Sequence, residues 1–291
     1  MKILNLIFPL ILRTINLQSY IKLRSLFQLK YMELKEDRFS TFLLNILKGG
    51  ELKEKKLRKI AADRIRVRKF IKENCDEVLL PPLYWRGNIL SKSAYKKLPQ
   101  FFFIKHRSSS GRTRLINKRF QKLNQINRWI WLNCLIDYGW LTRQWFYTKT
   151  KEFIVEGLIS DKPLEDYKFF CINGRPFLLQ VDIDRKIKHK RNLYSIGDEG
   201  KICTFLDVKL HCIENDLSFS LPNIVDAYRV ASRLSREFSF IRVDLYIVNN
   251  KVFFGELTNL PGSGFAMFSP PVYDERILKL MNQKTISTKI N

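Results

Sequence analysis

The sequence predicts an α+β fold in which a basic helical segment leads into a strand-rich body. Three observations carry that reading. Up to about residue 75 the spacing is helical and rich in Lys and Arg, with a break at Gly49-Gly50. From residue 100 onward, short apolar or alternating runs are bounded by turn residues. No internal repeat or low-complexity linker interrupts the chain. With 291 residues, 45% of them hydrophobic and 13% aromatic, it can bury a large core as one domain or as two lobes.

The opening run MKILNLIFPLILRTINL starts like a signal peptide, but Arg13 interrupts it and no small-residue cleavage site follows. It is too short to span a bilayer, and Pro9 predicts a kinked amphipathic segment that packs on the body or on a membrane surface. KEKKLRKIAADRIRVRKFIK (53–72) suits a basic, solvated helix face, and the proline pair of LLPPLY (79–84) closes the segment. QFFFIKH (100–106) predicts the first clear strand, RSSSGRTR (107–114) a small, polar, basic loop, and LINK a second strand. QINRWIWLNCLI (125–136) has helical spacing of bulky residues, and an aromatic-rich loop follows it to Tyr147. EFIVEGLI (152–159) and DYKFFCINGRPFLLQVDIDR (166–185) predict strands, the latter folded back at Asn173-Gly174. A long loop, a helix over 222–238 and a final hairpin complete the order.

The formal charge of +24 draws polyanions of any kind, whether nucleic acid, anionic lipid, nucleotide or acidic polysaccharide, and does not choose among them. No RNP, zinc-finger or basic-zipper pattern accompanies it, so nucleic acid as a specific partner is disfavoured. Cys75, Cys134, Cys171, Cys203 and Cys212 are odd in number, widely spread and without a CxxC pair, which fits a reduced, cytoplasmic setting.

The hairpin FIRVDLYIVNNKVFFGELTNLPGSG (240–264) carries Asp244 on one strand and Glu256 on the other. Ile241, Val243, Leu245 and Ile247 share the core face, leaving Arg242, Asp244 and Tyr246 on the other. A two-residue Asn-Asn loop in an unbroken ladder sets Asp244 opposite Gly255 and drives Glu256 into the core, at a high desolvation cost. Burial therefore predicts a three-residue loop, or a bulge of the same parity, with Asp244 opposite Glu256 and Arg242 opposite Thr258. Directly opposed side chains have Cβ atoms about 4.5–5.5 Å apart, where two carboxylates repel. Either Arg242 and nearby lysines neutralise them, or they hold a hard divalent cation such as Mg²⁺ against substrate phosphates. The glycine-rich LPGSG that follows favours the second reading, because such a loop lets backbone approach a ligand.

Taken in order, FFFIKH with its Ser/Gly loop, FIVEGLI, EDYKFFCINGRP, DIDRKIKHKRNLY and the hairpin resemble the TupA-like branch of the ATP-grasp enzymes over residues 63–280. The resemblance implies an ATP-grasp fold with two α+β lobes holding Mg-ATP between them. It divides the chain into a basic N-terminal helical segment (1–62), an N-terminal region with the small lobe (63–155) and a C-terminal lobe with the Mg-binding hairpin (156–291). The reaction it implies is ATP-dependent carboxylate–amine ligation through an acyl phosphate. The substrates it implies are a carboxylated or acidic cell-surface sugar polymer and an amino acid or peptide amine. A cytoplasmic location follows, with peripheral contact at the inner membrane face.

Carried over residue by residue, the resemblance makes Lys105 the small-lobe lysine that reaches the ATP phosphates, and Ser108, Ser109, Ser110 and Gly111 the mobile loop closing over them. Glu156 falls at the turn into the adenine-binding hinge, with the backbone of Gly157 and Leu158 available to the base. Lys168 and Arg185 face the transferred phosphoryl group and the acceptor carboxylate, where negative charge develops. Asp166 is placed to orient Lys168, and His189 and Arg191 are the substrate contacts. Asp244 and Glu256 become the Mg²⁺ ligands, with Arg242 beside them. Many ATP-grasp proteins carry asparagine two residues after that glutamate. Thr258 stands there instead, followed by Asn259, as in TupA-like sequences, leaving the third ligand open to Thr258, Asn259 or water. Three rival readings remain: a glycosyltransferase using Asp182 and Asp184 of DID as a DxD metal motif, a phosphotransferase built on the same ATP site, and an inactive scaffold bound to a polysaccharide synthase.

Overall fold

The computed structural model describes residues 16–20, 38–49, 54–135, 137–184, 188–197, 200–265 and 268–286. Most of the N-terminal run expected to kink at Pro9 lies outside these residues, as does Arg185. Two antiparallel sheets organise the chain.

After a helical stretch at 17–20, the described residues form α1 (Phe39–Lys48), α2 (Lys55–Ala61) and α3 (Arg66–Asn74). Gly49 ends α1 in the left-handed conformation (φ 75°), its N–H returning to Ile46 O, so the predicted break is a helix C-cap. The smaller sheet has the order β1-β4-β2-β3, built from β1 (Leu83–Gly87), β2 (Phe101–His106), β3 (Thr113–Asn117) and β4 (Phe153–Glu156). β1 lies where the sequence reading placed only a closing proline pair. Two helices, α4 (Lys92–Lys97) and α5 (Leu123–Cys134), cover one side of this sheet, and Ile126 and Ile130 meet Phe102, Ile104, Ile116 and Val155 there. The short α6 (Tyr138–Thr142) leads toward β4.

The larger sheet has the order β11-β10-β5-β6-β7-β8. Its strands are β5 (Asp166–Ile172), β6 (Arg175–Ile183), β7 (Lys190–Ile196), β8 (Cys203–Leu206), β10 (Ile241–Val248) and β11 (Lys251–Thr258). The hairpin β5–β6 turns at Asn173-Gly174, both at positive φ (47° and 78°), as an Asn-Gly two-residue turn requires. One face is uniformly apolar: Phe169, Leu179, Val181, Val243 and Leu245 pack against α3 and against α7 (Val225–Ser235) through Val67, Ile71, Val230 and Leu234. Full burial of each such side chain contributes roughly 1.5–3 kcal/mol.

The opposite face is split. At one end Phe170, Phe177 and Phe240 cluster with Phe39 of α1 and with Phe268, beneath α8 (Val272–Ile286). The Phe39 ring lies 5.7 Å from Phe240 and 6.1 Å from Phe170. The rest of that face is polar and forms the site described below. The small two-stranded pair β9 (Lys209–Leu210) and β12 (Phe268–Ser269) closes its rim. The chain leaving α3 runs along the free edge of β11, where Leu79 N–H donates to Val252 O and Phe254 N–H to Leu79 O, so that edge is covered before the small lobe begins. Both α1 and α3 pack on the large sheet, which ties the N-terminal helices to the C-terminal lobe.

Candidate active site

In the final hairpin, Asn249 and Asn250 form a two-residue turn with φ of 50° and 59°, pairing Val248 with Lys251. An unbroken ladder from this turn would oppose Asp244 to Gly255. The register instead shifts between Asp244 and Leu245: Leu245 pairs with Phe254, Asp244 with Glu256, and Gly255 is the extra residue of a β-bulge. The bulge supplies the parity expected of a three-residue loop. A Cβ on Gly255 would stand 2.8 Å from Asp244 O, so the close approach of backbone there admits only glycine.

Arg242 closes on this pair. Its Nε and Nη2 donate to the two carboxylate oxygens of Asp244 (2.7 and 2.6 Å), and Nη2 also reaches Thr258 Oγ1 at 3.2 Å. Thr258 Oγ1 donates to Glu256 Oε1 at 2.9 Å. Glu256 has more distant cations, Arg242 at 3.7 Å and Arg64 at 3.8 Å, and keeps 44% side-chain exposure. Burial pushes the Asp244 carboxyl up to about 6, against the pull of Arg242 and Lys168 and with the help of Glu256. Arg64 and Arg242 outweigh the effect of burial at Glu256 and hold it below the usual carboxylate value.

Lys168 pairs with Asp244 in the β10–β5 register, and Gln180 pairs with Lys168 in turn, so one row crosses Glu256, Asp244, Lys168 and Gln180. Two residues along the strands, Asp166 opposes Asp182, which opposes Arg191. Lys168 Nζ lies 2.8 Å from Asp166 and 2.9 Å from Asp182. Asp182 also takes Arg191 Nε at 2.6 Å and Gln180 Nε2 at 3.0 Å, and His189 Nε2 faces it at 3.2 Å. Burial opposes ionisation of Asp182, but Lys168 and Arg191 prevail and hold its carboxyl far below the usual range. Arg191 is itself buried and spends Nη1 on Leu210 O, while His189 remains partly exposed.

On the small lobe, Lys105 and Glu156 meet at 2.7 Å, and Arg68 Nη1 donates to the other oxygen of Glu156 at 2.9 Å. β4 ends at Glu156, and Gly157 N–H is already given to Pro82 O, so this N–H of the expected hinge is in use. The loop over 108–111 is half anchored. Ser108 is buried, its Oγ accepting from Thr148 N and its N–H donating to His106 Nδ1, and Ser109 is buried with its carbonyl accepting from Arg64 Nη1 at 2.7 Å. Ser110 and Gly111 are exposed, and Gly111 has φ 72° with open space around it.

Arg64, Arg68, Ser109, Glu156, Arg242 and Glu256 all border one cleft of about 170 Å³ between the lobes. Arg64 and Arg68 correct the reading of residues 53–72 as a solvated basic face. Arg64 ties the His106 and Ser109 carbonyls to Glu256, Arg68 holds Glu156, and Arg58 is fully buried against Glu54, Ser239 and Asn259. The signal was the mixing of Arg64 and Arg68 with inward-facing Val67 and Ile71, although Arg64 itself lies in the turn before α3. Asn259, expected as a metal ligand, is buried, donates Nδ2 to Arg58 O at 2.9 Å and accepts on Oδ1 from Arg58 Nη1 at 3.4 Å. Among the described residues no group of three or more His, Cys, Asp and Glu gathers to hold a metal. Glu256 and Thr258 line the cleft, and Asp244 lies behind them with both carboxylate oxygens on Arg242; oxygens of this kind are the hard donors that Mg²⁺ shares with phosphate.

The model of the TupA-like ATPgrasp family matches residues 43–281. No curated protein sequence matches. Among solved structures, D-alanine–D-alanine ligase from Bacillus anthracis is 13% identical over 79% of this chain and 68% of its own, with a TM-score of 0.45. The ATP-grasp ligase PsnB, complexed with minimal precursor, Mg and ADP, is 10% identical over 76% of this chain and 57% of its own, with a TM-score of 0.43. D-alanine–D-alanine ligase from Helicobacter pylori is 12% identical over 77% and 58%, with a TM-score of 0.40. The chain thus spans less than two thirds of the length of the latter two. Because the family match takes in both sheets, the hairpin and its bulge, the chain belongs to the TupA-like ATP-grasp family.

Proposed function

We propose that the protein is an ATP-dependent carboxylate–amine ligase that works through an acyl phosphate, joining an amino acid or peptide to a carboxylated cell-surface sugar polymer or its precursor. One observation carries the reading: Asp244 and Glu256 are brought opposite each other in one row with Lys168, and Glu256 lines the cleft together with Ser109 and Ser110 of the small-lobe loop. Bound Mg²⁺ would rest on Asp244 and Glu256 and neutralise charge on the ATP phosphates. Lys105 and the loop over 108–111 contribute positive charge and backbone donors from the other lobe. The acceptor carboxylate oxygen attacks the γ-phosphorus, the bond to ADP breaks, and an acyl phosphate forms. The amine nitrogen then attacks the acyl carbon, the C–O bond to phosphate breaks, and phosphate leaves as the nitrogen sheds a proton. Arg242 and Lys168, with Arg185 as a further proposed cation, stabilise the charge that develops on the transferred group. His189 and Arg191 are proposed to reach the acceptor.

The rival DxD reading asks Asp182 to hold a metal. Asp182 is 1% exposed and already surrounded by Lys168, Arg191 and His189, and Asp184 lies just beyond the end of β6 at positive φ, so the two carboxylates do not present a shared open site. Purified protein given Mg-ATP, a carboxylated sugar acceptor and mixed amino acids should yield ADP, phosphate and an amide. Turnover of a nucleotide-sugar with ATP untouched would overturn the ligase reading, and a phosphorylated acceptor without amide would turn it into a phosphotransferase.

A further inference from the structure

The outer side of the small lobe concentrates charge and exposed apolar side chains that the cleft does not use. From residue 83 to residue 156 the chain carries fifteen Lys and Arg against three Asp and Glu. None of those acids balances the outer face. Asp137 caps α6 by accepting from Trp140 N, Glu152 lies between Arg86 and Arg107, and Glu156 is held by Lys105 and Arg68. Lys92, Lys96, Lys97, Arg119, Lys122 and Arg128 are all exposed.

These cations belong to one face. α4 and α5 cover the same side of the small sheet and are tied together there. Leu90 and Asn127 exchange backbone and amide hydrogen bonds, Tyr95 OH donates to Gln121 O, and Lys118 Nζ donates to Leu98 O. While Ile126 and Ile130 turn α5 toward the core, its opposite stripe runs through Arg128, Trp131, Leu132 and Leu135 at i, i+3, i+4 and i+7. Leu135 keeps helical dihedrals as the C-cap. Trp131 is 61% exposed, Leu132 48% and Leu135 59%, with Trp140 and Phe120 exposed nearby in the chain. A surface helix ordinarily presents polar residues opposite its core stripe, so apolar stripes on both sides ask for a partner.

We infer that the α4–α5 face of the small lobe docks on an anionic bilayer surface, with Trp131, Leu132 and Leu135 entering the headgroup boundary and the surrounding lysines and arginines pairing with anionic headgroups. Charge alone suits any polyanion, and the indole with two leucines selects the bilayer. Such side chains gain from an apolar layer beneath a charged surface, which a soluble acidic polymer does not offer. Each Lys or Arg near such a surface raises partitioning about fivefold. No helix among the described residues is long and apolar enough to cross a membrane, so the contact is peripheral. The inference is independent of the ligase reading and of the first thirty residues, and its test uses no nucleotide.

The test is co-sedimentation of the full chain with phosphatidylcholine vesicles, with and without phosphatidylglycerol. Wild type should bind only the mixed vesicles. W131S/L132S/L135S, at exposed positions, should retain on the order of a tenth of the binding or less. K122Q/R128Q should lose on the order of 25-fold, whereas K251Q/R236Q, an equal charge loss on the large lobe, should change binding less than about twofold. Circular dichroism checks folding, and K122Q/R128Q carries the test if the apolar variant misfolds. Equal binding to both vesicle types, an unaffected apolar variant, or a control as costly as K122Q/R128Q would overturn the inference. So would a soluble polyglutamate or nucleic acid that needs Lys122 and Arg128 while vesicles stay unbound.

Discussion

Asp182 and Glu256 occupy the same polar face of the large sheet, and their carboxylates meet opposite surroundings. Asp182 is almost fully buried, with fixed cations at 2.6 and 2.9 Å. Glu256 opens on the cleft, keeps 44% exposure, and finds its nearest cations at 3.7 and 3.8 Å. Asp182 is neutralised by the fold itself, while Glu256 is left with charge to offer. A DxD-like acid and a hairpin acid look alike in sequence, and only the distance to fixed cations separates a structural anion from a ligand-binding one.

The largest expected effect lies at the saturated centre. Asp182→Asn leaves Arg191 buried without its anion and Lys168 with Asp166 alone, and should cost about 3–5 kcal/mol of stability, read by chemical denaturation. A variant of wild-type stability would show that the cluster is solvated and the contrast false. Glu256→Gln should do the reverse, leaving the denaturation midpoint nearly unchanged while lowering Mg-ATP turnover on the order of 10²–10³-fold. Full turnover would remove Glu256 from the site. Next, Gly255→Ala forces backbone against Asp244 O and should cost roughly 1–3 kcal/mol, together with turnover, because the pair loses its register. An unchanged midpoint would mean that the bulge relaxes freely.

The smallest effect concerns buried groups kept neutral. Burial lowers His106 and His211 to about 4. In the fold His106 donates from Nε2 to Thr150 O and accepts at Nδ1 from Ser108 N, which only the neutral ring can do. Both pKa values are depressed on folding, so the unfolded chain binds more protons as pH falls through about 6.5, and stability declines toward pH 4. From pH 8 to pH 6 the loss should be about 1–2 kcal/mol, and His106→Gln should remove about half of it. A flat profile in both proteins would show that the rings are hydrated.

Much of the large lobe was legible because its signals are local. The Asn-Gly turn, the helix before the hairpin and the alternation along β10 each depend on a few neighbours. The juxtaposition of Asp244 and Glu256 was legible as a parity requirement with a bulge as one of two ways to meet it, and the choice of a bulge at Gly255 beside a two-residue turn was not. The inward roles of Arg58, Arg64 and Arg68 escaped because a basic run looks solvated until the carboxylates that draw it inward are placed, and Glu156 and Glu256 lie far along the chain. The pairing of Asn259 with Arg58 was hidden for a related reason, since the two are distant in sequence.

The bulge also bears on how relatives of this chain are compared. One residue added to the Asn249-Asn250 turn and one removed at Gly255 leave Asp244 facing Glu256, so the same parity and the same span can be met by two different turns. Between the turn and the glutamate, two functional homologues can differ by offsetting single-residue gaps. An alignment forbidden to open them would still match the two acids, and would misplace only the residues between the turn and the bulge, setting core residues against exposed ones.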